Sequence, residues 1–484
     1  MDYYHDVGAD WLGDIEIKMK LLIQNKRVLV LGLGETGLSA LRWLQGQGAI
    51  LSVADSRDNP PNLDDLSRQM PYVAVHTGTF KTKVLLQAEV IIISPGVALS
   101  EPAVQAAIQK GIPVVGDVEL FAQHRPLHSK VIGITGSNGK TTVTSLVGDI
   151  CQKAGLNTII AGNIGLPVLD ALAMPTPDVY VLELSSFQLE TTSHLVLDAA
   201  TVLNVCEDHM DRYDTIADYA AAKARILTHA KVAVLNRDDA TSASFAKNNT
   251  VTFGLNIAPR PTDFGLIDSR VDYADGELNE QYLASGQRKI CRTSELKIAG
   301  QHNVANALAA AALCDAIGID KMAISLALTS FKGLPHRVEW VATIDGVDYY
   351  DDSKGTNVGA TCAAITGMTK HGVAQKVVLI AGGEGKQQDF SPLAPAVQAN
   401  SHAVVLIGRD ANIIAQALLE TNVALYHAAD LPEAVTIAAK LAKTGDAVLL
   451  SPACASFDMF KNYVHRAEVF VAAVKQLEAK QVAA

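Results

Sequence analysis

The sequence has few cysteines, few aromatic residues and no long apolar run. Its 484 residues include 6 cysteines, and aromatic residues make up 5% of the chain. The cysteines are scattered without a C-x-x-C pair, which excludes a disulfide framework or a thiolate zinc site and indicates a reducing compartment such as the cytoplasm. The longest apolar stretches, such as residues 307–314, fall far short of the roughly 18 to 20 residues that a membrane helix needs. We therefore expect no membrane insertion.

An excess of positive charge is also missing. The chain has 40 Lys and Arg residues against 51 Asp and Glu residues, a net charge of -11, which argues against a broad surface for nucleic acid or anionic lipid. The hydrophobic fraction of 49% is typical of a folded α/β protein, and the length corresponds to about three domains at roughly 150 residues each. Residues 1–20 lack the basic start and apolar centre of a secretory signal, and we interpret them as a loose extension.

Short β-branched runs alternate with Ala- and Leu-rich helical stretches, the pattern of parallel sheets built from βαβ units. The predicted strands are residues 27–31, 51–54, 90–93 and 113–115 in a first unit, 131–134, 179–182, 199–203 and 231–235 in a second, and 377–380, 403–407 and 447–450 in a third. Residues 255–300 are more polar and hairpin-like, and they precede a predicted helix over 303–316. With boundaries near residues 118 and 334, the sequence predicts an α/β protein with domains 1–118, 119–333 and 334–484.

The strongest local signal is a glycine-rich loop between a predicted strand and a helix predicted over 143–154. Its sequence is Thr135-Gly-Ser-Asn-Gly-Lys-Thr-Thr142. Gly136 and Gly139 allow backbone N–H groups to turn inward, Lys140 can reach the outer phosphates, and the Thr141 hydroxyl suits Mg²⁺. The spacing departs from an ordinary Walker motif, because Ile134 stands six positions before the lysine. The pattern nevertheless predicts a triphosphate-binding loop.

A second glycine-rich loop, Gly32-Leu-Gly-Glu-Thr-Gly37, follows the first predicted strand. With Asp55 closing the next strand, it is typical of a dinucleotide-binding fingerprint, although the same glycines also suit a different nucleotide diphosphate or a plain tight turn. Ser94-Pro-Gly96 ends another strand of the same unit. Ligands of open parallel sheets bind beyond the carboxyl ends of the strands, so this loop is expected to face the same crevice.

Acidic and imidazole groups follow the strands of the second unit. Glu183 ends one strand and His209 follows another, which makes both candidates for a metal beside the phosphate loop. Taken alone, a residue such as Glu183 is more often a charge at a helix N-terminus, and one such as His209 is more often a surface or capped histidine. Their coincidence with the phosphate loop favours the metal site. Lys223 lies in a helical Ala-Ala-Ala-Lys-Ala-Arg stretch, for which a solvated face is the ordinary explanation.

Taken together, several motifs resemble the Mur ligases of peptidoglycan synthesis in content and in order. They are the phosphate loop, Glu183-Leu-Ser-Ser-Phe-Gln-Leu-Glu190, Asn204-Val-Cys-Glu-Asp-His-Met-Asp-Arg-Tyr213, His302-Asn-Val-Ala-Asn306, Leu334-Pro-His-Arg337 and Asp351-Asp-Ser-Lys-Gly-Thr356. Residues 185–190 and the tail from Ser451 to Tyr463 resemble the members that add D-glutamate to UDP-N-acetylmuramoyl-L-alanine. The likeness extends over nearly the whole chain from Lys26.

The resemblance implies an N-terminal Rossmann-like domain for the UDP-sugar, a central P-loop ATPase and a C-terminal Rossmann-like domain that closes over the site. The implied UDP-sugar contacts are Gly34, Thr36, Asp55, Ser56, Arg57, Ser94, Pro95, Gly96, Asn138 and Asn163. Glu35 departs from the small or apolar residue expected beside the diphosphate, because a carboxylate there repels phosphate unless it turns away.

The chemistry implied is attack of the L-alanine carboxylate on the γ-phosphorus of ATP, followed by attack of the D-glutamate amine on the acyl phosphate. Cations and positioning must carry most of this reaction, because an anion attacks a polyanion. By resemblance, Lys140, Glu183, His209 and Lys223 are catalytic, one Mg²⁺ lies at Thr141 and Glu183, and a second Mg²⁺ lies at His209 and a carbamylated Lys223.

The resemblance also assigns the remaining ligand contacts. ATP would be bound by Gly136, Ser137, Asn138, Gly139, Lys140, Thr141, Thr142, Asn303, His336, Arg337 and Asp352. D-glutamate would be bound by Thr356, Lys386, Ser456, Phe457 and Tyr463, of which Phe457 and Tyr463 depart from the apolar residue and the Phe expected there. Lys354 is expected near phosphate, and we expect a monomer.

Other readings stay open at this point. A sister ligase for another amino acid and a folylpolyglutamate synthetase would share most of the motifs. An NAD-dependent dehydrogenase would use the first glycine-rich loop and Asp55 but leaves Lys140, His209 and Asp352 without a role. A P-loop switch or motor protein would use Lys140 alone.

Overall fold

The computed structural model describes residues 21–273, 276–298, 300–370 and 373–482. Residues 1–20, for which we expect a loose extension, lie outside this range. The chain divides into two compact units. Unit 1 runs to Gly133 and adds Leu156–Asp198 and Arg225–Lys231, whereas unit 2 contains Ile134–Gly155, Ala199–Ala224 and the chain from Val232 onward. None of the described helices is long and apolar enough to span a bilayer.

A fully parallel sheet with helices forms the N-terminal part of unit 1. Its strands are β1 (Arg27–Leu31), β2 (Ile50–Asp55), β3 (Ala74–Thr77), β4 (Val90–Ile93) and β5 (Val114–Val115), and its helices are α1 (Glu35–Gly46), α2 (Leu63–Gln69), α3 (Thr82–Leu85), α4 (Pro102–Gln109) and α5 (Asp117–His124). The strand order is β3-β2-β1-β4-β5. The order reverses between β1 and β4, and the crevice at such a switch point is where open α/β sheets bind ligands.

The middle of the chain contributes strands and helices to both units. They are β6 (Lys130–Thr135), α6 (Lys140–Lys153), β7 (Thr158–Gly162), α7 (Val168–Leu172), β8 (Val179–Glu183), α8 (Ser186–Glu190), β9 (Leu197–Val202), α9 (Ile216–Ala224), β10 (Ala230–Asn236), α10 (Ala240–Ser244), β11 (Thr250–Phe253), β12 (Phe264–Tyr273), β13 (Gly276–Ser285), β14 (Arg288–Arg292), α11 (Gln301–Ala316) and α12 (Lys321–Ser330). In unit 1, β7 and β8 are parallel neighbours. In unit 2, β12, β13 and β14 pair antiparallel, which agrees with the hairpin-like sequence of this region.

The C-terminal part of unit 2 is built around a mainly parallel sheet. Its elements are β15 (Glu339–Ile344), β16 (Val347–Asp351), α13 (Val358–Gly367), β17 (Thr369–Lys370), β18 (Val373–Ala374), β19 (Val377–Gly382), α14 (Leu393–Asn400), β20 (Ser401–Ile407), α15 (Ala411–Leu418), β21 (Ala424–His427), α16 (Leu431–Leu441), β22 (Ala447–Leu450) and α17 (Tyr463–Val482). The strand order is β15-β16-β22-β19-β20-β21. Strand β19 is buried on both faces, because Val377 and Leu379 pack in one apolar cluster and Val378 and Ile380 in the other.

The α/β class predicted from the sequence is confirmed. Each predicted strand coincides with an observed strand to within two residues at either end. The helix predicted from residue 143 begins earlier, at Lys140, because Gly139 adopts the left-handed conformation with φ of 83° and lets the helix start directly after the loop. The N-terminal N–H groups of α6 therefore face the glycine-rich loop.

Candidate active site

The glycine-rich loop between β6 and α6 is closely packed, and this packing explains its glycines. A Cβ atom at Gly139 would lie 2.5 Å from Oδ1 of Asn306, and one at Gly136 would lie 3.0 Å from Cβ of Leu203. Lys140 folds over the loop, and its Nζ donates to the carbonyl oxygens of Gly136 at 2.7 Å and of Ser137 at 2.9 Å. The ammonium group thus lies over the backbone of a glycine-rich loop at a helix N-terminus, an arrangement that suits an anionic ligand.

Asn204 clamps the loop from the neighbouring segment. Its Oδ1 accepts from the backbone N–H of Asn138 at 2.8 Å, and its Nδ2 donates to the carbonyl of Asn138 at 3.1 Å. The Ser137 hydroxyl donates to the carbonyl of Cys206 at 2.9 Å. These bonds hold the loop in one conformation, which lowers the cost of ordering it around a ligand.

Lys223 lies beside the same loop and is only 1% exposed. Its Nζ donates to the carbonyl of Gly136 at 2.9 Å and lies 4.2 Å from the centre of the Tyr219 ring. The solvated-face interpretation of this lysine is therefore wrong, since helix α9 turns the side chain into the interior. A buried ammonium costs free energy, so a lysine in this position calls for a specific role.

His209 is close to Asp208 and adopts a positive φ of 59°. Burial lowers the pKa of His209 to about 4, against the opposing effect of the Asp208 carboxylate, whose Oδ2 lies 3.7 Å from Nε2. A neutral imidazole is the form that binds a metal. The unusual backbone conformation is of the kind found at functional sites.

Asp208 itself joins several segments of unit 2. Its Oδ1 lies 3.1 Å from Nζ of Lys386, and its Oδ2 accepts from Nδ2 of Asn357 at 3.3 Å. Burial favours the protonated acid, but the charge of Lys386 outweighs this effect together with other neighbours, so the pKa of Asp208 is lowered. The carboxylate is therefore ionised and occupied on both oxygens.

Glu183 belongs to unit 1, at the end of β8, and is 1% exposed. Its Oε1 accepts from Nδ2 of Asn163 at 2.8 Å, whereas its buried Oε2 accepts no hydrogen bond from any residue that the structure describes. Asn163 thus holds the carboxylate in place. A buried carboxylate oxygen that lacks a donor is a suitable ligand for a cation.

The two loops at the switch point of the first sheet lie against each other. The Ser94 hydroxyl donates to the carbonyl of Gly32 at 3.2 Å, and a Cβ atom at Gly37 would lie 1.9 Å from the Gly32 oxygen. By contrast, a Cβ atom at Gly34 or Gly96 would meet nothing within 4 Å. Open space at these two glycines is consistent with a ligand that approaches the backbone.

Asp55 is buried beneath the first loop and has both oxygens occupied. Its Oδ2 accepts from the N–H of Leu33 at 2.7 Å, and Arg57 donates to both of its oxygens. Burial would raise the pKa of Asp55, but the Arg57 and Leu33 hydrogen bonds outweigh it and lower the pKa to about 2. The aspartate therefore fixes Arg57, whose side chain is half exposed, beside the loop.

Asp352 follows β16 and is buried beside β22. Its Oδ2 accepts from the Ser451 hydroxyl at 2.7 Å. Burial raises its pKa to about 7, although the Ser451 hydrogen bond and the charge of Arg337 oppose the shift. The adjacent Asp351 accepts from Nδ1 of His336 at 2.7 Å.

A buried guanidinium holds the loops at this end of the C-terminal sheet. Arg466 is 1% exposed and donates to the hydroxyl and the carbonyl of Ser353 and to the carbonyl of Cys454. It thereby connects the loop after β16 with the loop after β22. Tyr463 lies nearby, and its hydroxyl accepts from Nζ of Lys354 at 3.2 Å.

The structure brings many of the predicted site residues together within unit 2, at the phosphate loop and at the carboxyl ends of the C-terminal strands. Ser456 is buried in the loop after β22, whereas Phe457 is 70% exposed. The predicted residues Gly34, Thr36, Asp55, Ser56, Arg57, Ser94, Pro95, Gly96, Asn163 and Glu183 belong to unit 1. Glu35 is exposed in the first turn of α1.

Sequence reasoning missed several residues that the structure places in these networks. They are Asn204, Asp208, Asn306, Asn357, Ser451 and Arg466. Asn204, Asp208, Asn306 and Ser451 lie inside motifs that the sequence singles out, so proximity to a motif is a usable signal. Asn357 and Arg466 carry no such signal of their own, because their importance depends on distant partners.

Three family profiles match the chain. The N-terminal domain of MurD-like Mur ligases matches residues 26–116, the Mur ligase middle domain matches residues 134–314, and the Mur ligase glutamate ligase domain matches residues 336–454. The chain belongs to the Mur ligase family.

Two curated relatives match the chain over almost its whole length. It is 59% identical to the UDP-N-acetylmuramoylalanine--D-glutamate ligase of Methylobacillus flagellatus over 466 residues, which cover 96% of this chain and 100% of the relative. It is 54% identical to the ligase of the same name from Thiobacillus denitrificans over 482 residues, which cover 95% of this chain and 98% of the relative.

Solved structures support the fold. The UDP-N-acetylmuramate-alanine ligase MurC of Thermotoga maritima aligns with a TM-score of 0.58 at 18% identity, covering 93% of this chain and 100% of that one. MurF of Acinetobacter baumannii aligns with a TM-score of 0.54 at 16% identity, covering 93% of this chain and 91% of that one.

Proposed function

We propose that the protein is an ATP-dependent amide-forming ligase that adds D-glutamate to UDP-N-acetylmuramoyl-L-alanine. The observation that carries this proposal is identity of 59% and 54% to two D-glutamate ligases over nearly the full length of all three chains. The buried Lys223 beside a loop that Lys140 covers supports it, because an NAD-dependent dehydrogenase has no use for this arrangement. A simple P-loop switch would need Lys140 but would have no use for a second, buried lysine beside the loop.

In the proposed reaction the L-alanine carboxylate attacks the γ-phosphorus of ATP, and the bond to the β-γ bridging oxygen breaks, which releases ADP. The D-glutamate amine then attacks the acyl carbon, loses a proton and expels phosphate, leaving an amide. Lys140 would stabilise the charge on the outer phosphates. The backbone N–H groups of the loop and of the start of α6 would hold the remaining phosphate oxygens.

Each of the candidate metal ligands is by itself suited to Mg²⁺. The buried Oε2 of Glu183 lacks a donor among the described residues, Thr141 stands in the first turn of α6, and the His209 imidazole is neutral. Mg²⁺ would supply positive charge that offsets repulsion between the carboxylate and the triphosphate. Thr141 and Glu183 would hold one ion, and His209 would hold the second.

We further propose that Lys223 is carbamylated. Its amine would add to CO₂ with loss of a proton, which replaces a buried cation with an anionic oxygen donor. An ammonium group there would repel a second Mg²⁺, whereas a carbamate would attract or orient it. The burial of the side chain and its position beside Gly136 support this assignment.

The other ligand contacts remain proposals for the same site. The UDP group would lie at the switch point of the first sheet, near Gly34, Asp55, Arg57 and Ser94 to Gly96. ATP would contact Asn303, His336, Arg337 and Asp352, and D-glutamate would contact Thr356, Lys386, Ser456, Phe457 and Tyr463. Asp55, Ser94, Asp352, Thr356, Lys386 and Ser456 lie at or after the carboxyl ends of strands, where α/β sheets bind ligands. Asn303 lies instead in α11, and His336 and Arg337 precede β15.

The domain division 1–118, 119–333 and 334–484 is part of this proposal, and the profile matches at 26–116, 134–314 and 336–454 support it. We propose that the enzyme acts as a monomer in the cytoplasm, where it would make a peptidoglycan precursor. Its activity would then serve cell wall biogenesis, cell shape and cell division.

The test is a phosphate-release assay with UDP-N-acetylmuramoyl-L-alanine, ATP and Mg²⁺ against a panel of L- and D-amino acids. We expect release that depends on D-glutamate, together with a product heavier than the UDP-sugar by one glutamyl residue in mass spectrometry. Preference for another amino acid would indicate a sister ligase. Hydrolysis that is independent of the UDP-sugar would overturn the proposal.

A further inference from the structure

Asn357 occupies an unusual junction in unit 2. It is 3% exposed and precedes α13, where its Oδ1 accepts from the N–H of Ala360 at 2.9 Å and caps the helix. Its Nδ2 donates in two directions, to Oδ1 of Asn138 at 3.0 Å and to Oδ2 of Asp208 at 3.3 Å. One amide therefore connects the phosphate loop, the segment before His209 and α13.

Asp208 extends this junction to Lys386. Its Oδ2 receives Asn357 while its Oδ1 lies 3.1 Å from the lysine Nζ. Lys386 and Gln387 both adopt positive φ, 51° and 59°. Because residues of this type rarely hold such a conformation without support, the contact with Asp208 helps to determine where the lysine points.

The packing around the junction leaves little room for independent movement. A Cβ atom at Gly359 would lie 2.9 Å from Sγ of Cys206 and 3.1 Å from Nδ2 of Asn138. Glu207 accepts from the N–H of Asp389 at 3.3 Å, three residues after Lys386. The start of α13 and the loop after β19 thus both contact the segment that also contacts the phosphate loop.

We propose that Asn357 is a positioning residue that couples nucleotide binding at the phosphate loop to the orientation of Lys386. A ligand that shifts Asn138 changes the hydrogen bond to Asn357, which shares its amide group with Asp208. Asp208 in turn sets the position of the lysine. This inference rests on the proposed function in two respects, that the loop binds ATP and that Lys386 binds the amino acid.

The plainer explanation is that Asn357 only caps α13. Asn357→Ser and Asn357→Asp separate the two roles, because Ser and Asp cap helices as well as Asn does but lack the amide donor. We expect Asn357→Ser to stay close to the wild type in its thermal unfolding midpoint. Asn357→Asp should lower the midpoint, because it places a second buried carboxylate beside the ionised Asp208. An Asp320→Ser substitution at the cap of α12 is the matched control, since the Asp320 side chain also caps a helix, through the N–H of Met322.

The first measurement is independent of the amino-acid substrate. An amine-reactive reagent labels Lys386 in the full chain, and peptide mass spectrometry gives the labelling rate with and without a non-hydrolysable ATP analogue and Mg²⁺. In the wild type and in Asp320→Ser we expect the analogue to change the rate about fivefold or more, the usual lower range of coupling between sites. In Asn357→Ser and Asn357→Asp the two rates should be equal within error.

The second measurement is the KM for the accepted amino acid at saturating ATP, which we expect to rise about tenfold in both Asn357 variants while the KM for ATP changes little. The proposal is overturned if the ATP analogue does not change the labelling rate of Lys386 in the wild type. It is also overturned if the analogue changes this rate in Asn357→Ser as much as in the wild type. If the wild type rejects D-glutamate but the labelling effect is present and lost in the variants, the proposed function fails and the coupling stands.

Discussion

The ammonium nitrogen of Lys223 lies 2.9 Å from the carbonyl oxygen of Gly136, and the lysine is only 1% exposed. A lysine on a solvated helix face has no need of such a partner. Here α9 carries the residue into the interior and directs it at the backbone of the phosphate loop.

We expect Lys223→Ala to lose most of its activity, because the variant cannot form the proposed carbamate that would hold or orient the second Mg²⁺. Acetate should restore part of the activity by occupying the vacated space, whereas chloride at equal ionic strength should not. The measurement is ligation rate against acetate concentration. Lys231→Ala, which removes a mainly exposed lysine paired with Asp198 at 2.8 Å, is the matched control and should behave as the wild type does. Near-normal activity of Lys223→Ala in both CO₂-depleted and bicarbonate-rich buffer would contradict the assignment.

We expect Lys140→Ala to lower kcat by about a thousandfold, because it removes the cation that stabilises charge on the outer phosphates. The thermal midpoint should change little, since Nζ of Lys140 donates to the carbonyls of Gly136 and Ser137 in its own loop. Lys153→Ala at the other end of α6 removes an ion pair with Asp149 and should leave kcat unchanged. A folded Lys140→Ala protein with a kcat near that of the wild type would contradict the proposal that ATP binds at this loop.

We expect Glu183→Gln and His209→Ala to raise the Mg²⁺ concentration needed for half-maximal activity by about tenfold or more. The glutamine keeps the size of the side chain but replaces an anionic ligand with a neutral one. The measurement is an Mg²⁺ titration at saturating ATP. The control is Glu190→Gln, which makes the same change at the end of α8, the short helix that follows Glu183. Superimposable titrations for the wild type and both variants would exclude these residues from the metal site.

We expect Asp352 to make the stability of the protein depend on pH. Burial raises its pKa from 3.8 to about 7, so the folded state retains a proton that the unfolded state has lost between these values. Its contribution to the free energy of unfolding is complete below about pH 4 and is lost as the pH rises to about 7. The measurement is the thermal midpoint of the wild type and of Asp352→Asn from pH 5 to 8. The wild type should lose stability relative to the variant as the pH rises to about 7. Parallel curves would contradict the prediction, because they would show that Asp352 is ionised throughout this range.

The sequence alone determined the fold class and the position of the glycine-rich loop between a strand and a helix, for a physical reason. Strands such as β4 and β19 are short, β-branched and buried, and alternation with helical stretches leaves few arrangements other than parallel sheets. The glycines, the lysine and the paired threonines all lie within eight consecutive residues, so the pattern can be recognised in the sequence without knowledge of long-range contacts. The motif order from Gly136 to Tyr463 was likewise enough for the family, which the comparisons confirm.

Only the tertiary structure decided what the polar side chains contact. Lys223 looked like a solvated lysine because its helix is rich in alanine, and burial depends on where α9 packs rather than on its own residues. Asn357 and Arg466 are separated in the chain from their partners by 219 and up to 113 residues, and no local pattern encodes a contact over that distance. Hydrogen bonds between distant segments arise only when packing brings the segments together, which is why these networks were invisible before the chain was folded.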